Sequence, residues 1–223
     1  MILAVDIGNT NVVLGCIEGE KILFLERMAT DRGATDMEYL VRIRSVLKFR
    51  DIDPEKLEGA IICSVVPIVT MNVRPAVEQL TGKRAIVVGP GIKTGLRINI
   101  DNPGALGADR VADAVAAVNN YPVPLITIDM GTATTVDILT SKKEFLGGVI
   151  MAGVNMSMQA LSQGTAQLPN VEIAHPARAC GTSTAEAIQS GLYYGALGAV
   201  KELISAYTQE VFGGRKPMVI GTG

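Results

Sequence analysis

The sequence predicts an α/β protein built from two similar halves, each a mixed sheet with flanking helices. Short apolar runs of strand length alternate with stretches of helical periodicity, the pattern of a mixed α/β sheet. A short Asp-x-Gly segment followed by hydroxyl and amide residues closes the first strand at Asp6 and returns at Asp129. Each copy then leads into the same succession of strand, turn and strand, so the chain carries an internal repeat.

The elements follow in order. Residues 2–6 are an apolar run ending in the first Asp-x-Gly. Residues 11–17 and 21–28 are strands joined by a turn at Glu18, Gly19 and Glu20. Residues 35–49 place Met37, Leu40, Val41, Val46 and Leu47 at helical spacing. A buried strand at 60–65 is stopped by Pro67; a helix at 68–80 and a strand at 85–88 follow. Residues 105–118 form a helix with Ala108, Val111, Val115 and Val118 on one face. The opening pattern then returns with strands at 125–129, 136–140 and 145–151 and a turn at Ser141, Lys142 and Lys143. Helices at 154–162 and 185–209 and a strand at 217–220 complete the chain. The repeat sets Asp6 with Asp129, Gly8 with Gly131, Asn9 with Thr132, Asn11 with Thr134 and Val13 with Val136. The boundary between halves is expected near residues 119–122.

Bulk composition narrows the function classes. Hydrophobic residues at 48% against charged residues at 19% supply a sizeable core and argue against disorder. A net charge of −2 offers no basic field for nucleic acid or an anionic membrane. Cys16, Cys63 and Cys180 are scattered, lack CxxC spacing, and read as thiols of a reducing cytosol rather than a disulfide or zinc framework. The first residues lack a basic leader, so no signal peptide is expected, and no apolar run spans a bilayer.

The paired hairpins suit phosphate. Gly8 and Gly131 permit tight turns and leave no side chain in the way of a close ligand. Asn9, Thr10 and Asn11 offer neutral donors, as do Thr132, Thr134 and Thr135. Asp6 and Asp129 end apolar strands, where an unpaired buried carboxylate is costly, so a cation is expected to satisfy each. One such segment is also ordinary turn punctuation; two in equivalent places of a repeat carry the argument. Neither a Walker P-loop nor a Rossmann glycine fingerprint is present.

Between the copies, Pro103, Gly104 and Gly107 lead a constrained turn into a helix whose first turn carries Asp109, next to Arg110. Asp109 reads either as a carboxylate placed to suit the helix dipole or as a proton acceptor, with Arg110 solvated or anion-binding. Ser183 and Glu186 fit a capping box for the long C-terminal helix, leaving Thr184 to face a ligand. Gly191, Gly195 and Gly198 form a stripe that suits close helix packing, within the chain or between subunits. His175 reads as a loop residue, and the methionines, Met151, Met156 and Met158 among them, as core filler.

Four segments, in order along essentially the whole chain, resemble the type III pantothenate kinases. They are Asp6, Ile7, Gly8, Asn9, Thr10 and Asn11; Gly107, Ala108, Asp109 and Arg110; residues 129–135; and Gly147, Gly148, Val149 and Ile150. The second segment separates this family from the rest of the actin/sugar-kinase/heat-shock-chaperone ATPase superfamily. The resemblance implies duplicated ribonuclease-H-like mixed sheets flanked by helices, the actin-like ATPase fold, as halves 1–119 and 120–223. It implies ATP-dependent phosphorylation of pantothenate on its primary hydroxyl, the first step of coenzyme A synthesis, by a cytoplasmic homodimer. Residues 6–13, Val12 and Val13 included, would form the first phosphate loop, with Asp6 holding magnesium through water and Thr132 contacting ATP. Asp109 would accept the proton within a substrate-contacting Gly107, Ala108, Asp109 and Arg110. Asp129 would ligate potassium or ammonium, and Thr184 would contact pantothenate.

The chain departs from the family pattern at three places. Ile100 stands where many members have a substrate-contacting tyrosine, and Ala152 where a proline commonly precedes Gly153, a change expected to loosen that turn. Gly221, Thr222 and Gly223 look like the start of a glycine-rich adenosine loop, with the closing helix of the second half absent. A non-catalytic accessory factor of this fold and a sugar or carboxylate kinase are the competing readings. The Gly107–Arg110 element and the complete first hairpin favour pantothenate.

Overall fold

The computed structural model describes residues 1–223 and divides into two compact units, residues 1–94 with 102–112 and residues 95–101 with 113–223. The first unit opens with an antiparallel meander of β1 (Ile2–Ile7), β2 (Asn11–Glu18) and β3 (Lys21–Ala29). It continues with α1 (Asp36–Phe49), β4 (Gly59–Ser64), α2 (Pro67–Thr81) and β5 (Ala85–Val87). The sheet order is β3-β2-β1-β4-β5. β4 lies parallel to β1 and β5 parallel to β4, so each needs a crossover, which α1 and α2 provide.

Burial alternates along β1. Leu3, Val5 and Ile7 join Val12, Leu14 and Cys16 of β2 in a core with Tyr39, Ile43 and Leu47 of α1 and Val69, Val73 and Val77 of α2. Successive side chains point to opposite faces, so this core commits Ala4 and Asp6 to the other face of the sheet. α1 begins where the sequence places it. The Thr35 hydroxyl accepts the Glu38 N–H at 3.3 Å and the Glu38 carboxylate accepts the Thr35 N–H at 2.8 Å, a complete capping box. That second bond holds the Glu38 carboxyl below its usual range.

The second unit repeats the plan. β6 (Arg97–Ile98) is followed by α3 (Ala108–Asn120), whose first turn belongs to the first unit. β7 (Leu125–Met130), β8 (Ala133–Leu139) and β9 (Glu144–Ala152) form the second meander. α4 (Val154–Gln163) and α5 (Thr184–Glu210) lead to β10 (Met218–Thr222), which lies parallel to β7. The order β10-β7-β8-β9-β6 matches β4-β1-β2-β3 strand for strand, with the same directions, and adds β6 beyond β9. Ile126, Ile128 and Val136 pack under Val200, Leu203, Ile204 and Tyr207 of α5. The expected fold class, duplicated mixed sheets with flanking helices, is the one observed.

Several local expectations change. α3 starts at Ala108 rather than 105, because residues 103–105 close a separate 3-10 turn. β6 carries too few residues to show periodicity; it is held by β9, with the Asn99 N–H on the Phe145 carbonyl at 2.8 Å. The glycine stripe of α5 does not pack closely within the chain, since a Cβ at Gly191, Gly195 or Gly198 would meet nothing within 4 Å. The methionines are not uniformly core: Met151 packs beside Ile126 and Val136, but Met37, Met71, Met130 and Met156 are exposed. His175 is in a loop, its ring edge-on to Tyr193 at 4.7 Å.

Replacing Thr35 by Ala removes one partner of the capping box. It is expected to lower unfolding free energy by about 1 kcal/mol, read from the urea midpoint, with no change in activity.

Candidate active site

Each hairpin opens from the carboxyl end of the first strand of its meander. In the first, Asp6 is opposite Val13 in β2 and Cys63 in β4. The Gly8 N–H closes the turn on the Asn11 carbonyl at 2.9 Å, leaving Asn9 and Thr10 exposed at the tip. In the second, Asp129 is opposite Thr135 in β8 and Thr222 in β10. There the Gly131 N–H closes the turn on the Ala133 carbonyl at 3.1 Å.

The two turns differ in length, which corrects the repeat as aligned by sequence. Asn11 corresponds to Ala133, not Thr134, and Val13 to Thr135, not Val136. A one-residue shift in a strand exchanges its faces. Thr135 therefore shares the face of Asp129, while Val136 joins the core. A second correction concerns the carboxylates. Asp6 is exposed and Asp129 only partly buried, so the cost of burial does not by itself demand a cation at either. What fits a hard cation is the donor chemistry. The Asp129 carboxylate lies over Gly131, with Oδ2 3.7 Å from where a Cβ would be, and the Thr135 hydroxyl lies on the same face. These are oxygen donors, as alkali and alkaline-earth ions prefer.

The second hairpin is held from beneath by the residue after β9. The Gly153 N–H donates to the Thr132 carbonyl at 3.1 Å. A Cβ at Gly153 would collide with the carbonyl oxygens of Gly131 and Thr132, so glycine is required by close approach. Ala152 stays in register opposite Ala133, and the turn closes without a proline.

Asp109 is the second residue of α3. Its Oδ1 accepts the Arg110 N–H at 2.8 Å, which folds the carboxylate back over Gly107. A Cβ on Gly107 would collide with that same oxygen, so the absence of a side chain leaves room for this Asp109 rotamer. The position of that Cβ is 4.0 Å from Val65, and the Val65 N–H donates to the Ile7 carbonyl at 3.1 Å, the residue before Gly8. Gly107 thus lies near Val65, whose backbone is bonded to the root of the first hairpin.

The remaining expected residues lie apart along the second unit. Thr184 is the exposed first residue of α5. The Ser183 hydroxyl accepts the Glu186 N–H at 3.2 Å, but the Glu186 carboxylate takes the Thr182 N–H at 2.7 Å, not that of Ser183. The capping box is half formed, and Thr182 completes it. Ile100 is half-buried, with Cγ2 3.6 Å from the Cβ position of Gly147, a residue at φ 111°. Sequence reading passed over the segment after β3. There Thr30, Asp31 and Arg32 return beside the first hairpin, and the Arg32 guanidinium donates to Asn9 Oδ1 at 3.0 Å. The antiparallel meander was the available signal, since it brings the end of the third strand back to the first turn.

Comparison with known proteins gives the family. Residues 2–206 match the family model described as type III pantothenate kinase. A type III pantothenate kinase of an Exiguobacterium species is 41% identical over 223 residues, covering 100% of this chain and 87% of the relative. Those of Moorella thermoacetica and Myxococcus xanthus are 38% and 40% identical over the whole chain, covering 87% and 86% of their own lengths. Among solved structures, a Baf family transcriptional activator from Campylobacter jejuni superposes with a TM-score of 0.53 at 21% identity. It covers 90% of this chain and 78% of its own, and shows the fold.

Gly107→Ala is expected to displace the Asp109 carboxylate and lower turnover by about a hundredfold, the cost of an ångström-scale misplacement. Steady-state kinetics and a thermal midpoint would check that the loss is catalytic and not a loss of fold.

Proposed function

The chain belongs to the type III pantothenate kinase family, and we propose how its residues carry that family's reaction. The reaction is ATP-dependent phosphorylation of pantothenate to phosphopantothenate, which opens coenzyme A synthesis. The observation that carries the residue assignment is Asp109. Its carboxylate folds back over Gly107, in a turn that passes near Val65 beside the root of the first hairpin.

The primary hydroxyl of pantothenate lies against Asp109. As its oxygen attacks the γ-phosphorus of ATP, Asp109 accepts the proton, the new O–P bond forms, and the bond to the β-phosphate breaks to release ADP. In a loose transition state, positioning and charge neutralisation contribute more than the base does. In the first unit, residues 6–13 hold the phosphates of ATP. Gly107, Ala108 and Arg110 contact pantothenate, with Arg110 gripping its carboxylate as a planar fork suited to that partner. In the second unit, Thr132 contacts ATP, Thr184 contacts pantothenate, and Ile100 lines the acid's pocket without the hydroxyl a tyrosine would supply.

The exposure of Asp6 supports a water-mediated contact with magnesium, an ion that keeps several waters and takes few carboxylates. Asp129, with its oxygen-rich surroundings, holds potassium or ammonium. When bound, the two ions offset the charge of the phosphates.

We place the enzyme in the cytoplasm as a homodimer of two-halved, ribonuclease-H-like chains, with neither nucleic acid nor membrane as partner; the expected halves 1–119 and 120–223 are shifted by the second unit's claim on residues 95–101 and 113–119. No helix is long and apolar enough to cross a membrane. The exposed glycine stripe of α5 leaves room for a second subunit's helix.

Release of ADP should follow addition of pantothenate and not of a sugar panel or acetate; release with none of them would overturn the assignment. Asp109→Asn is expected to lose most of kcat while ATP binding persists, and unchanged kcat would remove Asp109 from its role. Asp129→Ala should abolish activation by potassium, read as equal rates with and without the ion.

A further inference from the structure

The first hairpin carries a latch that the second lacks. The Thr30 N–H donates to the Thr10 carbonyl at 2.9 Å, the counterpart of the Gly153 bond to Thr132. In addition, the Thr30 hydroxyl donates to the Gly8 carbonyl at 2.7 Å. Gly153 has no such donor, and the close approach of two carbonyl oxygens excludes one. A peptide group is planar and trans, so its N–H points opposite to its carbonyl. Turning the Gly8 carbonyl toward Thr30 therefore turns the Asn9 N–H away from it. Turning the Thr10 carbonyl toward β3 likewise turns the Asn11 N–H away from that strand. The neighbouring Arg32 acts similarly on a side chain, since its bond to Asn9 Oδ1 leaves the amide NH2 directed elsewhere.

The base of the latch is rigid. The Tyr39 hydroxyl, fully buried, accepts the Asp31 N–H at 3.0 Å and donates to the Asp31 carbonyl at 2.8 Å. Arg42 pairs with the Asp31 carboxylate at 2.9 Å. Residues that aim a binding loop need such support from packed elements.

We propose that Thr30 is a positioning residue for ATP: its hydroxyl fixes the peptide plane between Gly8 and Asn9 so that backbone N–H groups of the hairpin meet the phosphates. Successive N–H groups turned one way form an anion-binding concavity. The inference rests on the reading of residues 6–13 as the phosphate loop.

Steady-state kinetics of Thr30→Val, Thr30→Ser and Asn9→Ala, each with a thermal midpoint, test both. Thr30→Val keeps the shape and loses the donor. It is expected to raise KM for ATP by about five- to tenfold, the scale of one hydrogen bond, and to leave KM for pantothenate unchanged. Thr30→Ser restores the donor and should return KM for ATP to within about twofold of the parent. If Thr30→Val leaves KM for ATP unchanged while Asn9→Ala raises it, the latch is refuted and the phosphate loop stands. If neither variant moves KM for ATP, the loop assignment falls and the latch with it. Equal rises in both KM values with a lowered midpoint, unrescued by serine, would make Thr30 merely structural.

Discussion

Both hairpins depend on a single closure, a glycine N–H reaching back to a carbonyl at the far side of its own turn. Where a strand leaves its sheet, backbone donors and acceptors must find new partners. Here the closure uses Gly8 with Asn11 and Gly131 with Ala133, and it fixes where each following strand enters the sheet. From that register follows the side each residue takes. Val5, Ile7, Val12 and Leu14 go to the helices, and Asp6 is left on the open face. The carboxylates are where they are because the apolar residues on either side claimed the core.

The two halves share a plan but not a chemistry. The second turn is shorter by one residue, so a threonine rather than a valine comes to lie opposite the carboxylate. Its supporting residue is a glycine pressed against two carbonyls, whereas the first hairpin is supported by a threonine with a hydroxyl to donate. A duplicated scaffold thus presents one loop with an exposed carboxylate and amide-rich tip, and another with a carboxylate among hydroxyls.

Asp109 shows the same economy of means. It is a carboxylate on the first turn of a helix, a position that many structural aspartates occupy. Two features distinguish it. Gly107 leaves the space into which the carboxylate folds, and that turn passes near Val65, whose N–H is bonded to Ile7 at the foot of the first hairpin. A carboxylate positioned by backbone and by a missing side chain keeps its orientation at little entropic cost.

Most of the fold was legible because periodicity and the repeat report directly on burial. The strands around Asp6 and Asp129, the long helices and the order of both meanders were readable from the residues alone, as was Asp109 beside Arg110. β6 was not readable, because so short a strand exists only through its neighbour β9. The offset between the repeats was also hidden. Sequence counts residues along the chain, whereas register is set by which carbonyl a turn closes upon, and a one-residue difference leaves both alignments equally plausible by composition. Thr30 escaped notice for a related reason: it is far from Gly8 along the chain and touches it only after β3 has folded back. Residue identity alone determined which chemical groups this protein has, the paired Asp-x-Gly hairpins foremost. Tertiary pairing decided which of them share a face and which hold the others in place, since hydrogen-bond partners distant in sequence are chosen by register and packing rather than by local preference.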